Sequence, residues 1–132
     1  MIDDVHLNKA AIIRRCLDRI RDEYRNDPSR LGNFTIQDSI VLNLLRACEA
    51  SIDLAMHLIA ERRLGIPQSS RDAFAMLKTH GILTPETAAA MMRMCGFRNI
   101  AVHNYQEIET PILLAILQSH LAAFESYLTG CA

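Results

Sequence analysis

From Thr35 to Leu64 the chain runs without a glycine or a proline. Along that stretch Ile40, Val41, Leu44, Leu45, Cys48, Ile52, Ala55, Met56 and Ile59 recur at the spacing that puts them on one side of an α-helix. Thr35-Ile36-Gln37-Asp38 resembles a capping box at its start, and Gly65 is a C-terminal stop. A long helix with one apolar stripe must bury that stripe against other elements, so the remaining segments are read for partners of the same kind.

They supply them. Asp3 or Asp4 caps a first helix running to about Asn26, with Val5, Ile12, Ile13, Cys16, Ile20 and Tyr24 at helical spacing. The stretch Asn26 to Asn33 is a loop by composition. Ser70 can cap a short helix from Arg71 to His80, ending at Gly81. Thr84-Pro85 opens a further helix that runs to about His103, with Gly96 a weak point inside it. The same Thr-Pro device at Thr110-Pro111 opens a last helix to about Leu128. No segment alternates with a period of two, and there is no internal repeat. The expected fold is all-α: an up-and-down bundle of four main helices plus one short helix.

Composition agrees. Half of the 132 residues are hydrophobic, mostly Ala, Leu, Ile and Met, with four Phe, three Tyr and no Trp. Five Gly and four Pro are too few for the many turns of a β-sandwich or barrel, and the apolar content argues against disorder. A chain of this length suits one domain, residues 1–132. No apolar run approaches the roughly 20 residues of a membrane span, and the acidic start Met1-Ile2-Asp3-Asp4 has no signal-peptide core. The expectation is a soluble cytoplasmic protein. Cys16, Cys48, Cys95 and Cys131 match no zinc spacing, so free buried thiols are expected and no metal site. The net charge of −1 creates no global field toward nucleic acid. Twelve of the fourteen cations are arginine, the side chain suited to bidentate phosphate contacts.

One segment stands apart: Arg98-Asn99-Ile100-Ala101-Val102-His103-Asn104-Tyr105, an R-x4-H-x-Y pattern. Twelve Arg, five His and three Tyr in 132 residues would produce on the order of 0.01 such patterns by accident. Asn99 and His103 fall one turn apart on a helix, so the amide could orient the imidazole. Arg98 lies about 140° around the axis from His103, close enough for its long side chain to serve the same cleft. Tyr105 falls at the helix end, near the cleft mouth.

That segment resembles the signature of HEPN-domain ribonucleases, and of HepT toxins in particular. The resemblance extends over the chain: Arg46 to His57 looks like the second helix of HepT, and Gly65 to Arg71 like its connection to the short helix. It implies a HEPN-like bundle that dimerises so that two motifs share one cleft. It implies metal-independent RNA cleavage with no cofactor, and neutralisation by an MNT-type nucleotidyltransferase that transfers AMP to the motif tyrosine, here Tyr105. Within that implication Arg98 and His103 are the catalytic pair and Asn99 a supporting residue. RNA carries its own nucleophile, the 2′-hydroxyl, His103 can move the proton, and Arg98 can stabilise charge on the phosphate. A structured RNA such as tRNA is the expected substrate. The alternative is a non-catalytic partner that binds nucleotide or substrate for a nucleotidyltransferase.

Other polar features have plainer readings. The first-helix arginines alternate with Asp18, Asp22 and Glu23, as on a solvated mixed-charge face. His57 reads as a satisfied core or interface histidine, and His80 as a helix-end residue. Arg46, Glu49 and Asp53 could pair along their own helix; Glu49 or Asp53 reaching the cleft is the alternative.

Overall fold

The computed structural model describes residues 2–132 and contains six α-helices and no strand among them. They are α1 (Asp4–Tyr24), α2 (Phe34–Glu61), α3 (Ser70–Thr79), α4 (Pro85–His103), α5 (Thr110–Ser119) and α6 (Leu121–Cys131), with 3₁₀ turns at Pro28–Gly32 and Tyr105–Glu107. The all-α bundle expected from the apolar periodicity is present, with one helix more than expected.

α2 is its axis. Its 28 residues at 1.5 Å each make a rod of roughly 42 Å, and α1, α3 and α4 all pack along it. The core is continuous from Ile13, Leu17 and Ile20 of α1 through Leu44, Leu54 and Leu58 of α2 to Phe74, Phe124 and Tyr127. The hydroxyl of Tyr127 donates to the Ser51 carbonyl at 2.7 Å, and its ring meets Phe74 edge-on at 5.5 Å. A buried phenol is tolerated because its polar end is satisfied. All four cysteines are free and buried.

The helix ends show where local patterns mislead. α1 stops at Tyr24, because Arg25 and Asn26 both adopt positive φ. α2 begins at Phe34 and is capped by Asn33, whose Oδ1 accepts from the Ile36 N–H at 3.1 Å; Thr35 is already helical and Asp38 is engaged elsewhere. At the other end α2 stops at Glu61, and Gly65 takes a φ of 133°. Ser69, not Ser70, caps α3. Thr84 caps α4 as expected, but Thr110 lies inside α5, whose N-cap position is Glu109 without a side-chain bond. Val5 is exposed, while His6 on the next position turns into the core.

The expected last helix is broken. α5 and α6 meet at His120 with a bend of 45°. Neither Gly nor Pro stands there. α6 packs onto α4 and α1, and the bend lets the α5 stripe (Leu113, Ile116, Leu117) and the α6 stripe (Leu121, Phe124, Leu128) both face the core. Among the described residues no single helix is long and apolar enough to cross a membrane; only the bent α5–α6 pair reaches that threshold by composition.

Candidate active site

The motif occupies the last turns of α4 and the 3₁₀ turn beyond it. Thr84 and Pro85 start α4 in register, and Asn104 ends it with its N–H on the Ile100 carbonyl at 2.8 Å. Tyr105 opens the following turn. This end of α4 lies along α2, and two α2 carboxylates receive it. Asp38 and Glu49 are eleven residues apart, three turns on nearly one face of the helix.

Arg98 is the better held of the two expected catalytic residues. Its Nε–H donates to Glu49 Oε1 at 2.6 Å, and Nη1 donates to Asn99 Oδ1 at 3.1 Å. Of the five N–H donors of a guanidinium, three remain for a ligand, all at the outer end. The Glu49 carboxylate raises the Arg98 pKa further above its ordinary range, so the charge is permanent. His103, the last residue of α4, is exposed, and among the described residues its ring has no hydrogen bond or ion pair. Its ring nitrogens are therefore open to a ligand.

Among the described residues Asn99 makes no hydrogen bond to His103. Its carbonyl oxygen is given to Arg98, so the amide steadies the guanidinium rather than the imidazole. Tyr105 is half-exposed and its hydroxyl donates to Asp38 Oδ1. Partial burial, with the Asp38 carboxylate second, pushes the phenol pKa up to about 12. In the sequence Asp38 reads only as the closing member of a capping box. Nothing in the local pattern marks it as a partner of a residue so far along the chain.

The neighbouring charges sort themselves as well. Arg46, Glu49 and Asp53 do not pair with one another: Glu49 holds Arg98, and Asp53 holds Lys9 at 3.2 Å. Arg21 bridges to Glu125 at 2.8 Å, consistent with a mixed-charge face on that side of α1. His57 sits between Asp3 (2.8 Å) and Glu61 (3.0 Å), a satisfied histidine far along α2 from the motif. Leu42 and Val102, one on each helix beside the motif, are exposed.

The all-helical bundle thus presents an arginine braced by a carboxylate, an exposed histidine and a tyrosine at one helix end. The family model "Ribonuclease HepT-like" matches residues 11–129. The chain belongs to this HepT-like ribonuclease family. It is 43% identical over 127 residues to the mRNA nuclease HepT of Shewanella oneidensis, covering 96% of each protein. It is 34% identical over 61 residues to a tRNA nuclease HepT of Aphanizomenon flos-aquae, which covers 46% of this chain and 42% of that protein. Among solved structures, the tri-AMPylated Shewanella oneidensis HEPN toxin in complex with MNT antitoxin superposes with a TM-score of 0.90 at 44% identity, over 97% of this chain and 96% of that one.

Proposed function

We propose that this chain is the toxin of a HepT/MNT-type toxin–antitoxin pair, a metal-independent RNA endonuclease that acts in the cytoplasm. The observation that carries the reading is the intact Arg98, His103 and Tyr105 on one open helix end. There Arg98 is fixed by Glu49 with donors to spare.

In the proposed reaction the 2′-hydroxyl of one nucleotide attacks the adjacent phosphorus. Its proton passes to an imidazole, and the 5′-oxygen of the next nucleotide leaves with a proton returned to it. The products are a 2′,3′-cyclic phosphate, or the 3′-phosphate after hydrolysis, and a 5′-hydroxyl. Arg98 offers its free N–H groups to the non-bridging oxygens, where charge accumulates. One chain offers a single motif histidine. A homodimer through the α2–α4 face would cover Leu42 and Val102 and bring a second His103 to serve as acid while the first serves as base.

Neutralisation follows from Tyr105. An MNT-type nucleotidyltransferase that transfers AMP to its oxygen would break the bond to Asp38 and put a bulky anion at the motif. That would obstruct the cleft and repel RNA phosphate. The substrate is RNA. Both mRNA and the expected tRNA are substrates to test, because one relative is named an mRNA nuclease and another a tRNA nuclease.

The test is inducible expression in a bacterial host of wild type and His103→Ala, with end-chemistry of the RNA, followed by cleavage by purified protein in EDTA. Growth arrest and fragments with cyclic or 3′-phosphate ends, persisting in EDTA and absent from His103→Ala and Arg98→Ala, are the expected results. Cleavage that survives His103→Ala, or that EDTA stops, would refute the mechanism. Intact RNA with unmodified soluble protein would favour the non-catalytic partner instead.

A further inference from the structure

The chain has seven aromatic residues. Tyr24, Phe74, Phe97, Phe124 and Tyr127 are buried, none more than 5% exposed. The other two are Phe34, 78% exposed, and Tyr105, 44% exposed. Both line the same open cavity of about 730 Å³, between the start of α2 and the segment joining α4 to α5. A scattered apolar side chain on a surface needs no explanation. Here, however, every aromatic ring that the core does not use stands at one place, beside the cleavage motif.

The rest of the lining says what such a cavity suits. Gln37 and Gln106 carry amides that both donate and accept, while Asp38 and Glu109 carry carboxylates. The carboxylates disfavour a phosphate. An uncharged planar ring with amino and carbonyl groups on its edge matches both the flat apolar faces and the polar rim. From this geometry we propose that the Phe34–Tyr105 cavity binds a nucleobase. In the RNA it would be a base two or more nucleotides from the scissile phosphate, stacked on Phe34 while Arg98 and His103 hold that phosphate, because Phe34 and the Glu49 that braces Arg98 stand fifteen residues apart on α2, roughly 22 Å along its axis. The assignment of that RNA rests on the proposed nuclease reading. The base-binding chemistry of the cavity does not.

Stacking of a base on an aromatic side chain contributes about 1–3 kcal/mol by alanine substitution, a roughly 5- to 150-fold change in affinity. Phe34 is so exposed that Phe34→Ala should leave the fold intact, which melting would verify. The first assay uses the cleavage-dead His103→Ala background and short RNAs carrying a fluorescent adenine analogue at each position in turn. The expected result is quenching at one position, lost in Phe34→Ala with the stated weakening and kept in Phe34→Trp. Ile66→Ala removes an equally exposed apolar side chain (83%) from beyond the opposite end of α2 and should change nothing. In the second assay, with His103 restored, Phe34→Ala should raise KM and relax the sequence preference of cleavage.

A separate arm measures AMP transfer to Tyr105 by the nucleotidyltransferase. If Phe34→Ala impairs only that, the base held is the adenine of the nucleotide. Unchanged RNA binding, cleavage pattern and AMP transfer would overturn the proposal. So would loss of nothing but the complex with the antitoxin protein, which would make the cavity a protein contact. Base-dependent quenching in a chain that cleaves no RNA would sink the nuclease reading and leave the cavity assignment standing.

Discussion

Replacing Glu49 separates two things this carboxylate does for Arg98. The pair is short, 2.6 Å, yet its side chains are 31% and 42% exposed. A pair that wet contributes at most about 1 kcal/mol to folding. For a chain of this size that is a melting shift of about 3–5 °C. The effect on the proposed cleavage is larger. Arginine is a long flexible arm, and Glu49 with Asn99 holds it in one orientation. A hydrogen bond to a charged group is worth about 1.5–3 kcal/mol. If the whole of that is used to aim the guanidinium, Glu49→Ala lowers kcat by roughly 10- to 150-fold. Glu49→Gln keeps a carbonyl acceptor for the Nε–H and should stay within about tenfold of wild type. The assay is single-turnover cleavage of end-labelled RNA at saturating enzyme, in EDTA, beside a melting curve for each variant. Wild-type kcat in a destabilised Glu49→Ala would refute the reasoning, leaving Glu49 a structural counterion only. Equal damage from Ala and Gln would show that charge rather than aim is what matters. A faster Glu49→Ala would mean that the carboxylate competes with the phosphate for Arg98.

Three further outcomes are expected. Tyr105 should titrate near pH 12 by ultraviolet difference absorbance. Because its ordinary value is 10.0, its contribution to stability is complete below that pH and is lost as pH rises toward 12. Asp38→Asn should lower that value, and an unmoved titration would contradict the Asp38 contact. Gly130→Ala in α6 should destabilise by about 1–3 kcal/mol in urea unfolding, although alanine is the better helix former: its Cβ would stand 2.8 Å from the Ile82 carbonyl oxygen and 3.0 Å from Leu83 Cδ2. A more stable variant would show that this close approach relaxes freely. Tyr127→Phe should cost about 1 kcal/mol by removing the bond to the Ser51 carbonyl; a neutral result would mean that this carbonyl needs no second donor.

Helix placement was largely legible because an apolar stripe and its terminators are local. The run from Thr35 to Leu64 has one helical reading, and Thr84-Pro85 and Gly81 mark their ends through the backbone conformations those residues favour. The motif was legible for the same reason: Arg98, Asn99, His103 and Tyr105 lie within two turns. Capping was less so. Asn33, Thr35, Ser69, Ser70 and Thr110 can all cap, and choosing among neighbours depends on where the packed helix begins rather than on side-chain chemistry.

What the amino-acid sequence alone determined is the all-α class, the long central helix and the residues able to handle a phosphate and a proton. Periodicity and residue chemistry carry that information over a few turns. Only the tertiary structure decided which groups meet. It bent the last helix at His120 so that two stripes reach one core, where no local breaker exists. It gave Glu49 to Arg98 across 49 positions and Asp38 to Tyr105 across 67, and it left Phe34 outside the core beside the same tyrosine. Those pairings follow from the packing of α4 along α2. That is a long-range consequence of burying two stripes together, and no spacing within either helix encodes it.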